Sequence, residues 1–127
     1  MMRALFLCLG LALPAHAQGF TASNGASLRF LDKLTSETGD VVLGVGQAAK
    51  FGRIIVRLDE CRFPTDDPSS DSEAHLTVVD EASQTELFAG WMLASSPALS
   101  ALDHPRYDVW VLSCVLPETA SEPAPEE

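Results

Sequence analysis

The sequence is poor in the residues that carry most thiol, metal and nucleic-acid chemistry. It has only three cysteines and three histidines in 127 residues, and eight lysines and arginines stand against eighteen aspartates and glutamates. No Cys-x-x-Cys pair and no cluster of cysteine with histidine is present, so the patterns of thiol redox enzymes and zinc sites are missing. A chain with a net charge of −10 also lacks the clustered basic residues that bind nucleic acid or anionic membranes. We therefore expect no nucleic-acid partner.

Long apolar runs are scarce as well. The run Ala4–Leu13 is half as long as the stretch of about 20 residues that a membrane-spanning helix needs. Arg3 precedes this run, Pro14 ends it, and the tripeptide Ala-His-Ala at 15–17 then offers the small residues that a signal peptidase recognises. This pattern predicts a signal peptide over residues 1–17, cleaved after the last alanine. We expect an exported mature chain with no membrane span once the signal is removed.

The predicted signal peptide determines which cysteines remain in the mature chain. Removal of the signal peptide removes Cys8 and leaves Cys61 and Cys114. Two cysteines in an exported chain favour a disulfide, because thiols become oxidised outside the cytoplasm. The loop between them is long, so the chain-entropy model assigns the cross-link roughly 4 kcal/mol of stabilisation.

The composition divides the mature chain into a domain and a tail. Residues 117–127 contain four glutamates, three prolines and no large apolar side chain, which predicts a disordered acidic tail. Residues 18–116 form a stretch of roughly 100 residues, enough for one hydrophobic core. The predicted organisation is a signal peptide, a single β-domain and a tail.

Hydrophobic alternation with a period of two runs through the predicted domain, and long helical periodicity is missing. In the segment 54–63, apolar side chains occupy the even positions as far as Leu58 and the odd positions from Cys61 onward. In a regular strand, the side chains from Cys61 onward would therefore point to the opposite face. The change of parity therefore predicts a β-bulge near Asp59-Glu60.

Strands of this kind, separated by turns rich in glycine, proline and aspartate, predict an all-β fold. The expected architecture is a small antiparallel β-sandwich or partly open barrel with one short helical turn, cross-linked by one disulfide. Segments 86–94 and 107–116 are apolar on both parities, which is typical of central strands covered on both faces. Between them, Ser96-Pro97 predicts the helical turn, with serine as the N-cap and proline in the first helical position.

Two short motifs look like ligand-binding loops but lack the necessary context. GVGQAA, from Gly44, matches the beginning of a dinucleotide-binding loop. Another strand is predicted to open almost at once at Phe51-Gly52, which leaves no room for the helix that would hold the pyrophosphate. DDPSSDSE, from Asp66, groups four carboxylates, yet it lacks the alternation and the glycine of an EF-hand loop. We expect turns or solvated loops here, with no metal and no cofactor.

The segment Gly90–Cys114 gathers most of the candidate functional side chains. Five of them combine aromatic, imidazole or carboxylate chemistry and are possible binding residues: Trp91, His104, Tyr107, Asp108 and Trp110. Aromatic side chains on exported β-domains can stack on sugars, so the three aromatic residues also suggest glycan binding. The alternative is that these large aromatic residues belong to the core.

A hydrolase is a further hypothesis for the same segment. Ser95 or Ser96 would be the nucleophile, His104 the base and Asp108 the group that orients it. Neither serine stands in the Gly-x-Ser-x-Gly elbow that presents many such nucleophiles. A structural role as a strand, a helical turn and a His-Pro exit explains the same residues, so we assign no catalytic residue.

Four stretches together resemble one known family: LRFLDKLT, GQAAKFGRIIVRLDEC, AHLTVVDE and LFAGWMLASSPALSALDHPRYDVWVLSC. They are similar to the pattern of the domain of unknown function 2155 family, small exported proteins of alphaproteobacteria. The resemblance covers nearly all of the predicted domain and implies a Gram-negative periplasmic setting. The family's cysteine pair falls on Cys61 and Cys114. The family has no established activity, so the resemblance supplies no catalytic residues.

The function that these observations favour is a non-catalytic binding or envelope-associated module in the periplasm. Its partner would be an unidentified periplasmic protein or a component of the envelope. The envelope hydrolase and the glycan-binding domain remain the alternatives at this point. They differ in what they require, because a hydrolase needs a serine–histidine contact and a glycan site needs exposed aromatic rings in one groove.

Overall fold

The computed structural model describes Pro14 and residues 19–116 of the chain. Within this part, eight strands form two antiparallel sheets. The strands are β1 (Phe20–Ser23), β2 (Gly25–Asp32), β3 (Glu37–Gly44), β4 (Ala48–Phe51), β5 (Ile54–Pro64), β6 (Glu73–Asp80), β7 (Glu86–Leu93) and β8 (Tyr107–Cys114). The predicted tail and, apart from Pro14, the predicted signal peptide lie outside the described residues.

The two sheets pack face to face as an open sandwich. The larger sheet has the order β1-β5-β6-β7, and β4 also pairs with β5; the smaller sheet has the order β3-β2-β8. β1 and β4 lie along the same edge of β5, because β1 pairs with its last four residues and β4 with its first four. The prediction of an all-β sandwich is confirmed.

The core lies between the sheets and follows the alternation of the strands. Leu28 of β2, Leu76 of β6 and Val111 of β8 are fully buried. Phe30 and Phe51 stack across the two sheets with their ring centroids 4.3 Å apart. Burial of each large aliphatic side chain contributes roughly 1.5–3 kcal/mol, so these inward positions hold the sheets together.

The predicted disulfide is confirmed. Cys61 of β5 and Cys114 of β8 form a bond with a Cα–Cα distance of 5.8 Å, and both residues are buried. The bond therefore joins the larger sheet to the smaller one across the core. Because 53 positions separate the two cysteines, the cross-link closes a loop that includes β6 and β7.

The predicted bulge is confirmed as well. The pairing of β5 with β6 shifts between Leu58 and Glu60, so Asp59 is an extra residue with no partner on β6. Because of this insertion, Cys61 points into the core although it stands three positions after the buried Leu58. The bulge thus determines whether the disulfide can form.

The prediction that segments 86–94 and 107–116 are central strands is wrong. β7 and β8 each pair with one strand only, so each is an edge of its sheet. The apolar side chains on their outer parity are half-buried instead of covered: Leu93 and Trp91 on β7, and Trp110 and Leu112 on β8. The outward apolar side chains of β7 and of β8 therefore form two partly exposed apolar surfaces, one on each sheet.

The predicted helical turn is a single 3₁₀ turn over Pro97–Leu99. Pro97 occupies the first turn as expected, but the Ser96 side chain makes no capping hydrogen bond. Leu102 is buried against the core, whereas Leu99 is 76% exposed. No helix within residues 19–116 is long and apolar enough to cross a membrane.

The GVGQAA motif is the turn between β3 and β4. Gly46 has a φ of +85°, a conformation that glycine adopts without strain. The Gln47 side chain accepts a hydrogen bond from the Gly44 amide at 2.8 Å and closes the turn on itself. No helix follows the motif, in agreement with the sequence argument.

Candidate binding site

The serine and histidine side chains of the hydrolase hypothesis bind different partners. The Ser95 hydroxyl donates to Asp71 Oδ2 at 2.6 Å, and the Ser95 amide donates to the other oxygen at 3.0 Å. The Ser96 hydroxyl lies 3.4 Å from that of Ser95. Within residues 19–116, no hydrogen bond joins His104 to either serine. Ser95 instead fastens the end of β7 to the loop before β6.

His104 organises the entrance to β8. Its Nδ1 atom accepts hydrogen bonds from the amides of Arg106 and Tyr107 at 3.0 and 3.1 Å. This use of Nδ1 as an acceptor places the ring proton of a neutral imidazole on Nε2. The His104 carbonyl accepts a further bond from the Lys33 ammonium at 2.7 Å. The imidazole thus acts as a turn cap in this structure.

Asp32, at the end of β2, lies beside the same turn. Its carboxylate accepts hydrogen bonds from Arg106 Nε at 3.1 Å and Nη2 at 2.9 Å, and from the amides of Leu34 and Thr35. The bonds from Arg106 lower the pKa of Asp32 from 3.8 to about 2, against the opposing effect of burial. The ion pair fixes the start of β8 relative to the β2–β3 turn.

The three candidate aromatic residues do not share a groove. Tyr107 is buried, and its hydroxyl accepts a hydrogen bond from the Arg53 amide at 3.2 Å, so it belongs to the core. Trp91 and Trp110 are both half-buried but lie on the outer faces of different sheets. Asp108 is half-buried on the same outer face as Trp110, two positions along β8. The structure therefore separates the residues of the glycan hypothesis.

Trp91 is at the centre of a mixed aromatic and charged surface on the larger sheet. The Arg62 guanidinium lies 4.3 Å from the Trp91 ring centroid and 4.8 Å from that of Phe20. The His75 ring meets the Trp91 ring edge-on at 5.3 Å. Glu73 holds Arg62 through an ion pair of 2.7 Å. We call these five residues, Phe20, Arg62, Glu73, His75 and Trp91, the Trp91 face.

The bulge residue Asp59 fixes the position of His75. Asp59 Oδ2 lies 2.8 Å from His75 Nδ1 and accepts a bond from the Thr77 hydroxyl at 2.6 Å. Arg57 Nε donates to Oδ1 at 2.7 Å. Burial raises the pKa of Asp59, but the bonds from Thr77, Arg57 and His75 outweigh it and hold this pKa below its ordinary value. The carboxylate stays ionised and orients the imidazole toward Trp91.

A cleft of about 320 Å³ opens beside the Trp91 face. It lies at the edge of β5, in the gap between the end of β1 at Ser23 and the start of β4 at Ala48. Its lining combines two aromatic rings, one cation and one carboxylate with small side chains: Phe20, Ala22, Ser23, Val45, Glu60, Cys61, Arg62 and Trp91. Phe20 and Val45 are each 45% exposed at its rim. Apolar walls with a few fixed polar groups are typical of binding sites.

Another depression, of about 340 Å³, lies between the loop before β6 and the end of β8. Its lining consists of serine, proline, cysteine and aliphatic side chains, with no charged or aromatic group. Such a lining offers little to orient a ligand, so we regard the cleft at Trp91 as the better candidate. Among the described residues, no group of three or more His, Cys, Asp or Glu side chains is placed to hold a metal ion.

Sequence reasoning selected Trp91 but missed its neighbours. Phe20, Arg62 and His75 come from β1, β5 and β6, and they meet Trp91 only because β5, β6 and β7 are adjacent in the sheet. In β6, His75 alternates with the buried Ala74 and Leu76, and it is half-buried on the outer face. The strand order was the missing information, because alternation assigns a face but not a neighbour.

Comparisons with known proteins identify one family. The family described as "Uncharacterized protein conserved in bacteria (DUF2155)" matches residues 26–114. This range runs from the second residue of β2 to Cys114 and includes both cysteines of the disulfide, Arg62, His75 and Trp91. It excludes β1 and therefore Phe20.

A relative in Rickettsia prowazekii (strain Madrid E), uncharacterized protein RP359, is 31% identical to this chain over 87 residues. The matched part covers 66% of this chain and 56% of the relative, so the chain spans little more than half of that protein's length. No solved structure matches the chain.

Proposed function

The chain belongs to the uncharacterised bacterial family DUF2155, and we propose that it is a non-catalytic periplasmic binding module that uses its Trp91 face. The observation that carries the proposal is the half-buried Trp91 ring, held between Arg62 and His75 beside a cleft. A large ring that is already fixed loses little conformational freedom on binding. The partner is a periplasmic protein or a component of the envelope.

Export is supported by the disulfide. A buried bond between Cys61 and Cys114 fits a compartment in which thiols are oxidised. The signal-peptide pattern over residues 1–17 supports the same placement and, in a Gram-negative bacterium, implies the periplasm. A non-catalytic role is also consistent with the engagement of the Ser95 hydroxyl by Asp71 and of the His104 imidazole by backbone amides.

The test uses the two tryptophans as a matched pair. The full chain is expressed in its bacterial host, and in-cell crosslinking products are compared for wild type, Trp91→Ala and Trp110→Ala. We expect Trp91→Ala to lose the crosslinked species that wild type and Trp110→Ala retain. Truncation of a central aromatic anchor costs about 2 kcal/mol or more, which is about a thirtyfold loss of affinity.

Both variants must retain the disulfide and the wild-type circular dichroism spectrum for the comparison to hold. Each tryptophan is half-buried on an outer face, so neither substitution removes a side chain from the core between the sheets. Retention of all crosslinked species by Trp91→Ala would reject the Trp91 face as the binding site. Loss by Trp110→Ala alone would move the site to the smaller sheet.

A further inference from the structure

The outer edge of β7 is an open strand edge. The Ala94 amide donates to the Ser72 carbonyl at 2.9 Å, which makes this opposed pair a hydrogen-bonded pair. Hydrogen-bonded and non-bonded pairs alternate along an antiparallel ladder. The backbone groups of Met92 and Gly90 therefore point toward β6, and those of Trp91 and Ala89 point away from it, toward solvent.

The other strand edges of the sandwich are protected by length or by charge. β1 and β4 have only four residues each, and short edges resist pairing. β3 carries Glu37 and Asp40, and β8 carries Asp108. Along β7, Glu86 at the very beginning is the one charged residue, and the strand contains no lysine and no proline. Among the edge strands longer than four residues, β3 carries two charges and β7 and β8 carry one each, and the charge of β7 stands at its first position.

The sequence of β7 is complementary to itself when two copies run antiparallel about Gly90. In that register Trp91 of one copy lies opposite Ala89 of the other, so a large side chain meets a small one on the outer face. Phe88 lies opposite Met92 on the inner face. The pairing of β7 with β6 shifts between Phe88 and Glu86, so Leu87 is a bulge residue and the regular part of β7 begins at Phe88. All of these residues are apolar, and Leu87 is 37% exposed in the single chain.

This register also satisfies the backbone and the charges. Ala89 and Trp91 both have edge-facing groups, so the pair that they form across the axis is a hydrogen-bonded one. Residues 88–92 contain no charged residue, so no like charges oppose each other in this register. Gly90 sits at the axis.

We propose that a second copy of this chain pairs antiparallel along β7 and extends the larger sheet across a twofold axis. The interface is isologous, because each copy contributes the same strand. It covers the open backbone groups of Ala89 and Trp91 and places the two Trp91 faces on one continuous outer surface. The pairing stands independently of the partner-binding role proposed above.

The test compares two glutamate substitutions by sedimentation velocity on the full mature chain, over a concentration series that ends in the millimolar range. Ala89→Glu adds charge at an exposed outer position of β7, opposite the other copy's Trp91. Val42→Glu makes the same change of charge on the edge strand of the smaller sheet, where the side chain is 64% exposed. We expect wild type and Val42→Glu to form dimers and Ala89→Glu to sediment as a monomer.

Hydrogen exchange on the wild-type chain gives a second measurement that does not depend on any variant. The amides of Ala89 and Trp91 should exchange more slowly as the protein concentration rises, because pairing covers them. A wild type that stays monomeric throughout the series overturns the proposal. The proposal is also overturned if Ala89→Glu still forms a dimer and the Ala89 and Trp91 amides of wild type keep exchanging fast at high concentration. The interface of such a dimer would lie elsewhere.

Discussion

Asp32 is the buried carboxylate on which the β2–β3 turn and the entrance to β8 both depend. It accepts hydrogen bonds from two turn amides and from the Arg106 guanidinium. A carboxylate bound in this way stabilises the fold only while it is ionised. The low pKa of about 2 therefore links the stability of this corner to pH.

The pH dependence of stability has a defined sign. The folded-state pKa of Asp32 is about 2, below the ordinary value of 3.8, so its contribution is present above about pH 4 and disappears as the pH falls through 2. We expect Asp32→Asn to be less stable than wild type at neutral pH and the difference to shrink between pH 4 and pH 2. Urea unfolding midpoints measured across this range test the prediction.

The matched control is Asp103→Asn, which removes an exposed carboxylate for which the structure shows no hydrogen bond. Its midpoint should follow that of wild type at every pH. A constant difference between wild type and Asp32→Asn down to pH 2 would contradict the assigned pKa. Equal stability at neutral pH would show that the Arg106 ion pair does not stabilise the turn.

At the scale of elements, the turn of the β4–β5 hairpin contacts β8 through the Tyr107 hydroxyl. Gly52 is the first residue of the two-residue loop and has a φ of +56°. The Tyr107 hydroxyl lies so close to Gly52 that any Cβ there would collide with it, and the same hydroxyl accepts a bond from Arg53. The turn therefore requires glycine for its conformation and for the close approach of Tyr107.

Two glycine substitutions separate these requirements. Gly46→Ala changes a residue that also has a positive φ, but nothing lies within 4 Å of the added Cβ, so its cost is about 1–2 kcal/mol. Gly52→Ala adds an overpacking cost of about 1–3 kcal/mol. We expect a larger loss in the free energy of unfolding for Gly52→Ala, measured by urea denaturation.

The double variant with Tyr107→Phe locates the collision. Tyr107→Phe alone should cost about 0.5–1.5 kcal/mol, because it removes the hydrogen bond from Arg53. In the Gly52→Ala background the same change should cost less, since it removes the colliding oxygen. Strict additivity of the two substitutions would rule out the Tyr107 hydroxyl oxygen as the source of the strain.

The strands show which element properties the sequence can predict. The parity change at Asp59 indicated the bulge, because a strand must keep its apolar side chains on the core face. Because β7 and β8 are apolar on both parities, they were expected in the middle of their sheets, but each lies at an edge. Local pattern gives the faces of a strand, but its neighbours depend on pairing with distant segments.

For the whole molecule, the disulfide is the covalent link between the sheets. Cys61 lies in the larger sheet and Cys114 in the smaller one, 53 positions apart in the sequence. We expect the paired substitution Cys61→Ser with Cys114→Ser to lower the free energy of unfolding by about 2–5 kcal/mol. Urea denaturation of wild type, with and without a reductant, provides the comparison.

The substituted chain should be insensitive to the reductant, which makes it the control for reduction of the wild type. Identical midpoints for oxidised and reduced wild type would contradict a stabilising bond. Two free thiols in mature protein taken from its own compartment would contradict both the bond and the export that it supports.

The sequence by itself determined the all-β class, the bulge and the cysteine pair. These features depend on side-chain alternation and on the chemistry of single residues, which are local properties. Only the tertiary structure decided the strand order, the separation of Trp91 from Trp110 and the assembly of the Trp91 face. Those features arise from pairing between segments far apart in the chain, and alternation alone carries no record of which strands become neighbours.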